Sequence, residues 1–261
     1  MATSTKRKFL ASAILAGSAA LLACGGGGAS APAGKNEAPP PAIDPATTGR
    51  LAGTIRYTGP DPAPLSIELS ADPRCNKDLS GASYMPEVAI GPDRTLANAV
   101  VWIKSGAPAG RYPVPQEPAV LSQRGCWYEP RVQALLVGRS LEIRNDDATM
   151  HNVHVLAKAN REWNRSQMEG AIPIVETFEH EELPVTFKCN VHPWMKAQVA
   201  VLPNPFFAVT DKDGRFAIDG LPAGEYTVAV WHETLGSAEQ RISVAAKQAA
   251  TVDFALPPSG S

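Results

Sequence analysis

Cys189-Asn190-Val191-His192-Pro193-Trp194-Met195 closes the alternating run Val185-Thr186-Phe187-Lys188, and the way these two pieces join decides the fold. Alternation along Val185 to Cys189 sends successive side chains to opposite faces, the period of a half-buried strand. The loop that follows carries a thiol, an imidazole and a thioether at offsets of zero, three and six. Upstream, His151 follows a second strand-like run, Leu141-Glu142-Ile143-Arg144-Asn145. One local loop cannot surround a metal ion and hold it rigid, so a ligand from a second strand is its natural complement. Cu(I) favours soft sulfur and Cu(II) favours nitrogen in flatter geometries. Two imidazoles and a thiolate near one plane, with a weak axial thioether, therefore serve both oxidation states. Little has to move when the electron does. The residue types predict a copper site made by His151, Cys189, His192 and Met195.

Cys-x-x-His-Pro-aromatic-Met, with His151-Asn152-Val153-His154 upstream, resembles the cupredoxins, blue copper proteins of the plastocyanin and amicyanin type. The resemblance covers residues 137 to 201 and implies a Greek-key β-sandwich with one type 1 copper that carries electrons. Cys189, His192 and Met195 stand at the loop ligand positions and His151 at the upstream one. Asn152 stands where relatives pin the two ligand loops together. By the same resemblance His192 is the more exposed ligand and the way out for the electron. Pro193 and Trp194 form the apolar collar on which a redox partner, a cytochrome or an oxidoreductase, docks. The chain departs from many relatives in having Met150, not proline, before the first histidine.

Taken singly, each ligand also reads as packing, since a buried cysteine is a small hydrophobe and a methionine fills core gaps. Structural zinc prefers four firm nitrogen and sulfur ligands, and methionine is a poor one. His154 lies at an odd offset from His151, on the other face of a strand, and reads as a surface or packing residue. Glu179-His180-Glu181-Glu182 reads as a solvated acidic turn, and His232 as an exposed or hydrogen-bonded strand end.

The chain begins with Lys6-Arg7-Lys8, an apolar run from Phe9 and the ending Leu21-Leu22-Ala23-Cys24. That run is shorter than the ~20 residues of a membrane span and reads as an export signal over residues 1–23. The ending resembles a bacterial lipobox, which implies lipidation of Cys24 and a membrane anchor on the cell envelope, periplasmic or at the outer-membrane surface. Residues 24–49, rich in Gly, Ala and Pro, have almost nothing to bury and read as a tether. The signal carries three of the 24 basic residues and no acidic one, leaving 21 basic against 26 acidic, a balance that excludes nucleic-acid binding. With Cys24 given to lipid and Cys189 to metal, Cys75 and Cys126 remain as a disulfide pair in an oxidising compartment. Closing a loop of about fifty residues contributes roughly 4 kcal/mol in the chain-entropy view.

Beyond the tether no segment shows helical periodicity bounded by caps, and short alternating runs broken by Pro and Gly predict an all-β chain. Leu51 to Tyr57, Leu65 to Leu69 and Ala99 to Ile103 read as extra N-terminal strands of the metal-binding sandwich, giving a cupredoxin-like domain over residues 50–203. Arg161 to Gly170 reads as a surface loop. From residue 204 to 257 the pattern changes: Asp211-Lys212-Asp213-Gly214 reads as a hairpin turn, and Gly220-Leu221-Pro222-Ala223-Gly224-Glu225-Tyr226 resembles the transthyretin-like module of carboxypeptidase regulatory domains. That implies a second, small β-sandwich.

The expected function is electron transfer without catalysis. Five histidines, with no His-x-His pair, do not build the further copper centres of a multicopper oxidase. A copper-delivery or sequestering lipoprotein would carry Met-rich or His-rich tracts, which the sequence lacks. The alternatives are that copper-delivery or sequestering lipoprotein and a surface-anchored adhesion or glycan-binding protein with an incidental metal site, the latter kept open by the C-terminal module.

Overall fold

The computed structural model describes residues 1, 39, 41–62, 74–75 and 87–258. The export signal, Cys24, most of the tether and the strand expected at Leu65 to Leu69 lie outside the described residues. The chain divides into Met1–Glu37 and Ala38–Ser261, and the architecture below belongs to the second unit.

Two strands come first, β1 (Gly49–Tyr57) and β2 (Val100–Ser105). Nine follow: β3 (Ala119–Arg124), β4 (Trp127–Glu129), β5 (Val132–Leu136), β6 (Ser140–Asn145), β7 (His151–Leu156), β8 (Trp163–Gln167), β9 (Ile174–Thr177), β10 (Glu182–Lys188) and β11 (Lys196–Leu202). The chain ends with β12 (Phe207–Val209), β13 (Arg215–Leu221), β14 (Gly224–His232), β15 (Gly236–Val244), β16 (Ala249–Thr251) and β17 (Phe254–Leu256). The all-β expectation holds. Among the described residues four sheets form, in the orders β4-β3-β6-β9, β5-β11-β10-β7-β8, β12-β2-β14-β15 and β13-β1-β16 with β17 also on β1.

Side-chain alternation explains how these sheets stack. On β11, Ala197, Val199 and Val201 point into a core shared with Leu121, Leu141, Ile143 and Phe187. Ala200 and Leu202 point the other way, against Val100 and Trp102 of β2 and Ala229 of β14. The remaining faces of β2 and β14, with Val101, Ile103, Val228 and Val230, join Leu51, Ile55, Phe216 and Ile218 in a third cluster. β2 and β11 are therefore covered on both faces, which is why each reads as a near-continuous apolar run.

This stacking moves the domain boundary. β1 pairs with β13, β16 and β17, and β2 pairs with β12 and β14, so both early strands belong to the C-terminal sandwich. The expected extension of the metal-binding sandwich by these strands is not found. Without β1 and β2 the strands after residue 204 would leave the core around Val228 and Val230 open. The Asp211-to-Gly214 turn also differs from a simple hairpin, because β12 and β13 lie in different sheets and the turn carries the chain between them. Gly214 has φ 69° there, and a Cβ would meet Thr95 and the Ile55 carbonyl within 2.8 Å, so the position favours glycine.

Two segments expected at the surface are structured. Trp163 to Gln167 is the edge strand β8, with Trp163 and Gln167 buried at its ends. Glu182, expected in a solvated turn, is buried and accepts N–H groups from Ala159 at 3.1 Å and Asn160 at 3.0 Å, with a further bond from Lys158. Burial alone raises its pKa, but the Lys158 N–H and the Asn160 and Ala159 donors hold it below the ordinary carboxylate value. A depressed folded pKa gives stability that is present above the ordinary value and lost as pH falls through the folded one. Glu182→Gln is therefore expected to cost about 1–2 kcal/mol at pH 7 and to converge on wild type in acid. Urea unfolding at both pH values checks this; a pH-independent difference would contradict it.

Candidate metal centre

β7 starts at His151, and β10 ends one residue before Cys189. The two strands are antiparallel neighbours, with Lys188 opposite His154, so both bring their ligand residues to one end of the sandwich. The loop between β10 and β11 is held tight from within. Cys189 donates its N–H to the Met195 carbonyl at 3.1 Å, and Met195 donates to the His192 carbonyl at 2.9 Å. His151, His192 and Met195 are fully buried and Cys189 is 2% exposed.

The His151 and His192 Nδ1 atoms are 2.9 Å apart, and the Cys189 Sγ lies 3.6 Å from the His192 Nδ1. The three side chains offer ligand atoms all within 4.8 Å of one another. Donors at ~2.0–2.3 Å from one first-row ion, in a near-trigonal plane, stand about 3.4 Å apart for two nitrogens and about 3.7 Å for nitrogen and sulfur. The observed spacings lie within about half an ångström of these values, so the residues fit an ion of that size. Met195 packs in the same apolar cluster as Cys189.

The Cys189 thiol sits among donors. Its Sγ accepts the N–H of Asn152 at 3.3 Å and that of His192 at 3.4 Å. Burial by itself pushes the thiol up, but hydrogen bonds from His151 and His192 and the two backbone N–H groups bring it down to about 5. At neutral pH the group is a thiolate. Asn152 also accepts the Asn190 N–H on its side-chain oxygen at 3.3 Å, joining the two ligand loops, while its amide nitrogen donates to Asn164 and to the Arg165 carbonyl. Tyr128 donates to the Asn152 carbonyl at 3.1 Å, and burial raises its phenol far above the ordinary range.

Asp147 is the member of the site that sequence reasoning missed. Its Oδ2 lies 2.7 Å from the His151 Nε2, and its carboxylate accepts the N–H groups of Gly125 at 2.6 Å and Cys126 at 2.8 Å. Burial raises the carboxyl, and His151 with these two N–H groups more than reverses that, leaving it below its usual value. Burial likewise lowers His151, and the Asp147 and Cys189 bonds turn the net shift upward. The carboxylate fixes the ring so that Nδ1, not Nε2, faces Cys189 and His192. No spacing in the sequence marks it, beyond a position four residues before a ligand.

Cys75 and Cys126 are joined as a disulfide, with Cα atoms 5.6 Å apart. It lies directly against the centre: the Cys75 Sγ is 3.4 Å from the His192 Nε2. The exposed imidazole edge expected at His192 is therefore absent, because the bridge and Trp194 lie against the ring. Trp194 is half-buried, 5.3 Å from the His192 ring between centroids, and donates its indole N–H to the Cys126 carbonyl at 3.0 Å. Pro193 is exposed.

The other histidines stand apart from this group. His154 contacts Asn190 and Glu162, and His180 is exposed beside Asn160. His232 is fully buried, accepts the Thr234 N–H at 3.3 Å, and is pushed by burial to about 4, so it is neutral at pH 7.

The family model described as a carboxypeptidase regulatory-like domain matches residues 185–257. The match begins in β10, within the sandwich built from β3 to β11, and runs to the end of the C-terminal one. No curated protein matches. Similar solved structures include a copper-containing nitrite reductase from Thermus scotoductus SA-01, at 18% identity and TM-score 0.31, covering 38% of this chain and 25% of that one. The chain thus spans a quarter of that reductase. A purple cupredoxin from Nitrosopumilus maritimus is similar at 21% identity and TM-score 0.28, covering 32% of this chain and 99% of that one. A methionine-to-alanine variant of amicyanin in its Cu(I) form is similar at 24% identity and TM-score 0.30, covering 39% and 98%.

Proposed function

We propose that this chain is a one-electron carrier that holds a single type 1 copper ion between His151, Cys189 and His192, with Met195 as the axial ligand. One observation supports this above the rest: two Nδ1 atoms and a thiolate sulfur converge in a buried pocket, each held by its own hydrogen bond or loop closure. Copper there would accept and return one electron. The protein supplies rigidity. Asp147 orients His151, two N–H groups hold the Cys189 sulfur, and the Cys189–Met195 backbone bonds fix the loop, so the ligands keep one arrangement through both oxidation states.

The burial of His192 shapes the path to a partner. In this reading a redox protein docks over exposed Pro193 and half-buried Trp194, next to the Cys126 turn that Trp194 holds. Of the five histidines only His151 and His192 face each other, so the reading assigns electron transfer and no catalysis. It also keeps the chain an exported lipoprotein, anchored through Cys24 to the cell envelope.

The test is Cu(II) titration of the wild-type soluble chain and of Cys189→Ser, followed by visible absorption and electron paramagnetic resonance. The expected result is an intense blue thiolate-to-copper band with narrow hyperfine splitting, absent from the variant. Folded, copper-exposed wild type without that band would sink the reading.

A further inference from the structure

The disulfide places two sulfurs against the outer nitrogen of a ligand histidine, and that juxtaposition has chemistry of its own. Cys75, Cys126 and His192 offer ligand atoms within 4.8 Å of one another, and all three residues are buried. We propose that, when the Cys75–Cys126 bridge is reduced, these two thiolates and the His192 Nε2 form a second metal site, specific for Cu(I).

The backbone already stands at the needed separation. Two thiolates sharing a three-coordinate ion at ~2.3 Å lie roughly 4 Å apart. Side-chain rotation reaches that from Cα atoms 5.6 Å apart. Cys126 is held independently of the bridge, since its N–H goes to Asp147 and its carbonyl to the Trp194 indole. Reduction therefore leaves its sulfur near the same place. His192 completes the set from 3.4 Å away. Two thiolates and one imidazole in a buried setting suit Cu(I), which accepts low coordination and prefers sulfur.

The redox step balances with a dithiol donor. The donor gives two electrons and two protons, its own disulfide forms, and the S–S bond becomes two thiols. Cu(I) then replaces both thiol protons, which leave to solvent. A neutral imidazole has one free lone pair, so His192 serves one site at a time, through Nε2 here or through Nδ1 beside Cys189. The inference goes beyond the electron-carrier reading and is tested without it.

Cys189→Ser protein is reduced with a phosphine, freed of it without oxygen, and titrated with Cu(I) against a chromophoric Cu(I) chelator. The reduced variant is expected to bind one Cu(I) at least 100-fold more tightly than the same variant with its disulfide intact. Adding Cys75→Ser, or alkylating both thiols of the folded reduced protein, should remove that gain; circular dichroism establishes that each sample is folded. Equal affinity in the two redox forms, or a gain that survives loss of Cys75 or alkylation, would overturn the proposal. Because Cys189 is absent throughout, neither outcome depends on whether the wild type forms a blue centre.

Discussion

Glu233→Ala is expected to cost about 3–5 kcal/mol of folding stability, the loss typical of breaking a buried ion pair from one side. Arg131, next to β5 in the sandwich built from β3 to β11, donates its Nε–H at 2.6 Å to Glu233, next to β14 in the C-terminal one. The two side chains are only 10% and 7% exposed. Gln198 on β11 supports the pair by donating to the other Glu233 oxygen at 3.3 Å, while its own oxygen accepts the Thr186 hydroxyl. Removing the carboxylate takes a buried charged partner from the Arg131 guanidinium. Replacing both partners at once by Arg131→Met and Glu233→Leu should cost far less, because no buried charge remains. Denaturant unfolding of the two variants decides it; a single-variant loss below about 1 kcal/mol would place the pair in effectively solvated surroundings.

Asp147→Ala is expected to weaken copper binding about 10–100-fold, the usual effect of losing the partner that orients a ligand histidine. The carboxylate does two things at once: it fixes the His151 ring, and it binds the Gly125–Cys126 turn that carries the disulfide. Its pKa is held below the ordinary value, so it is charged throughout the neutral range, and its support is lost only as pH falls through that lowered value. Asp147→Asn keeps an acceptor without the charge and should lose less affinity than alanine. Reduction potential should rise in both, since a less basic His151 favours Cu(I). Competition titration and potentiometry check this, and an affinity within threefold of wild type for alanine would contradict it.

How much of this was legible in the sequence follows from what each residue answers to. The closeness of Cys189 and His192 is legible because one short loop carries both side chains at a fixed spacing. Asp147 and the contact between Cys75 and His192 were not, because they arise where distant segments meet. The pairing of Cys75 with Cys126 followed from counting cysteines; its position over the site did not. Strand character along Val185 to Lys188 and Val100 to Ile103 came from alternation and apolar density. Alternation says that a face is buried, not against which partner, so it leaves open that β1 pairs with β13 and β2 with β14. The four-residue apolar run in β2 signalled cover on both faces, as its place between two sheets shows. Glu182 was hidden in an acidic run whose other members are exposed. β8 was hidden because only its end residues are apolar or buried.

The proposed centre is one copper ion bound by one thiolate and two imidazoles from His151, Cys189 and His192. X-ray absorption at the copper edge, on wild-type protein loaded with one equivalent of Cu(II) and its disulfide intact, tests it most directly. The expected result is one short copper–sulfur distance and two copper–nitrogen distances with imidazole scattering, the sulfur disappearing in Cys189→Ser. A shell of nitrogen and oxygen alone in the wild type, or a short sulfur that persists without Cys189, would contradict it.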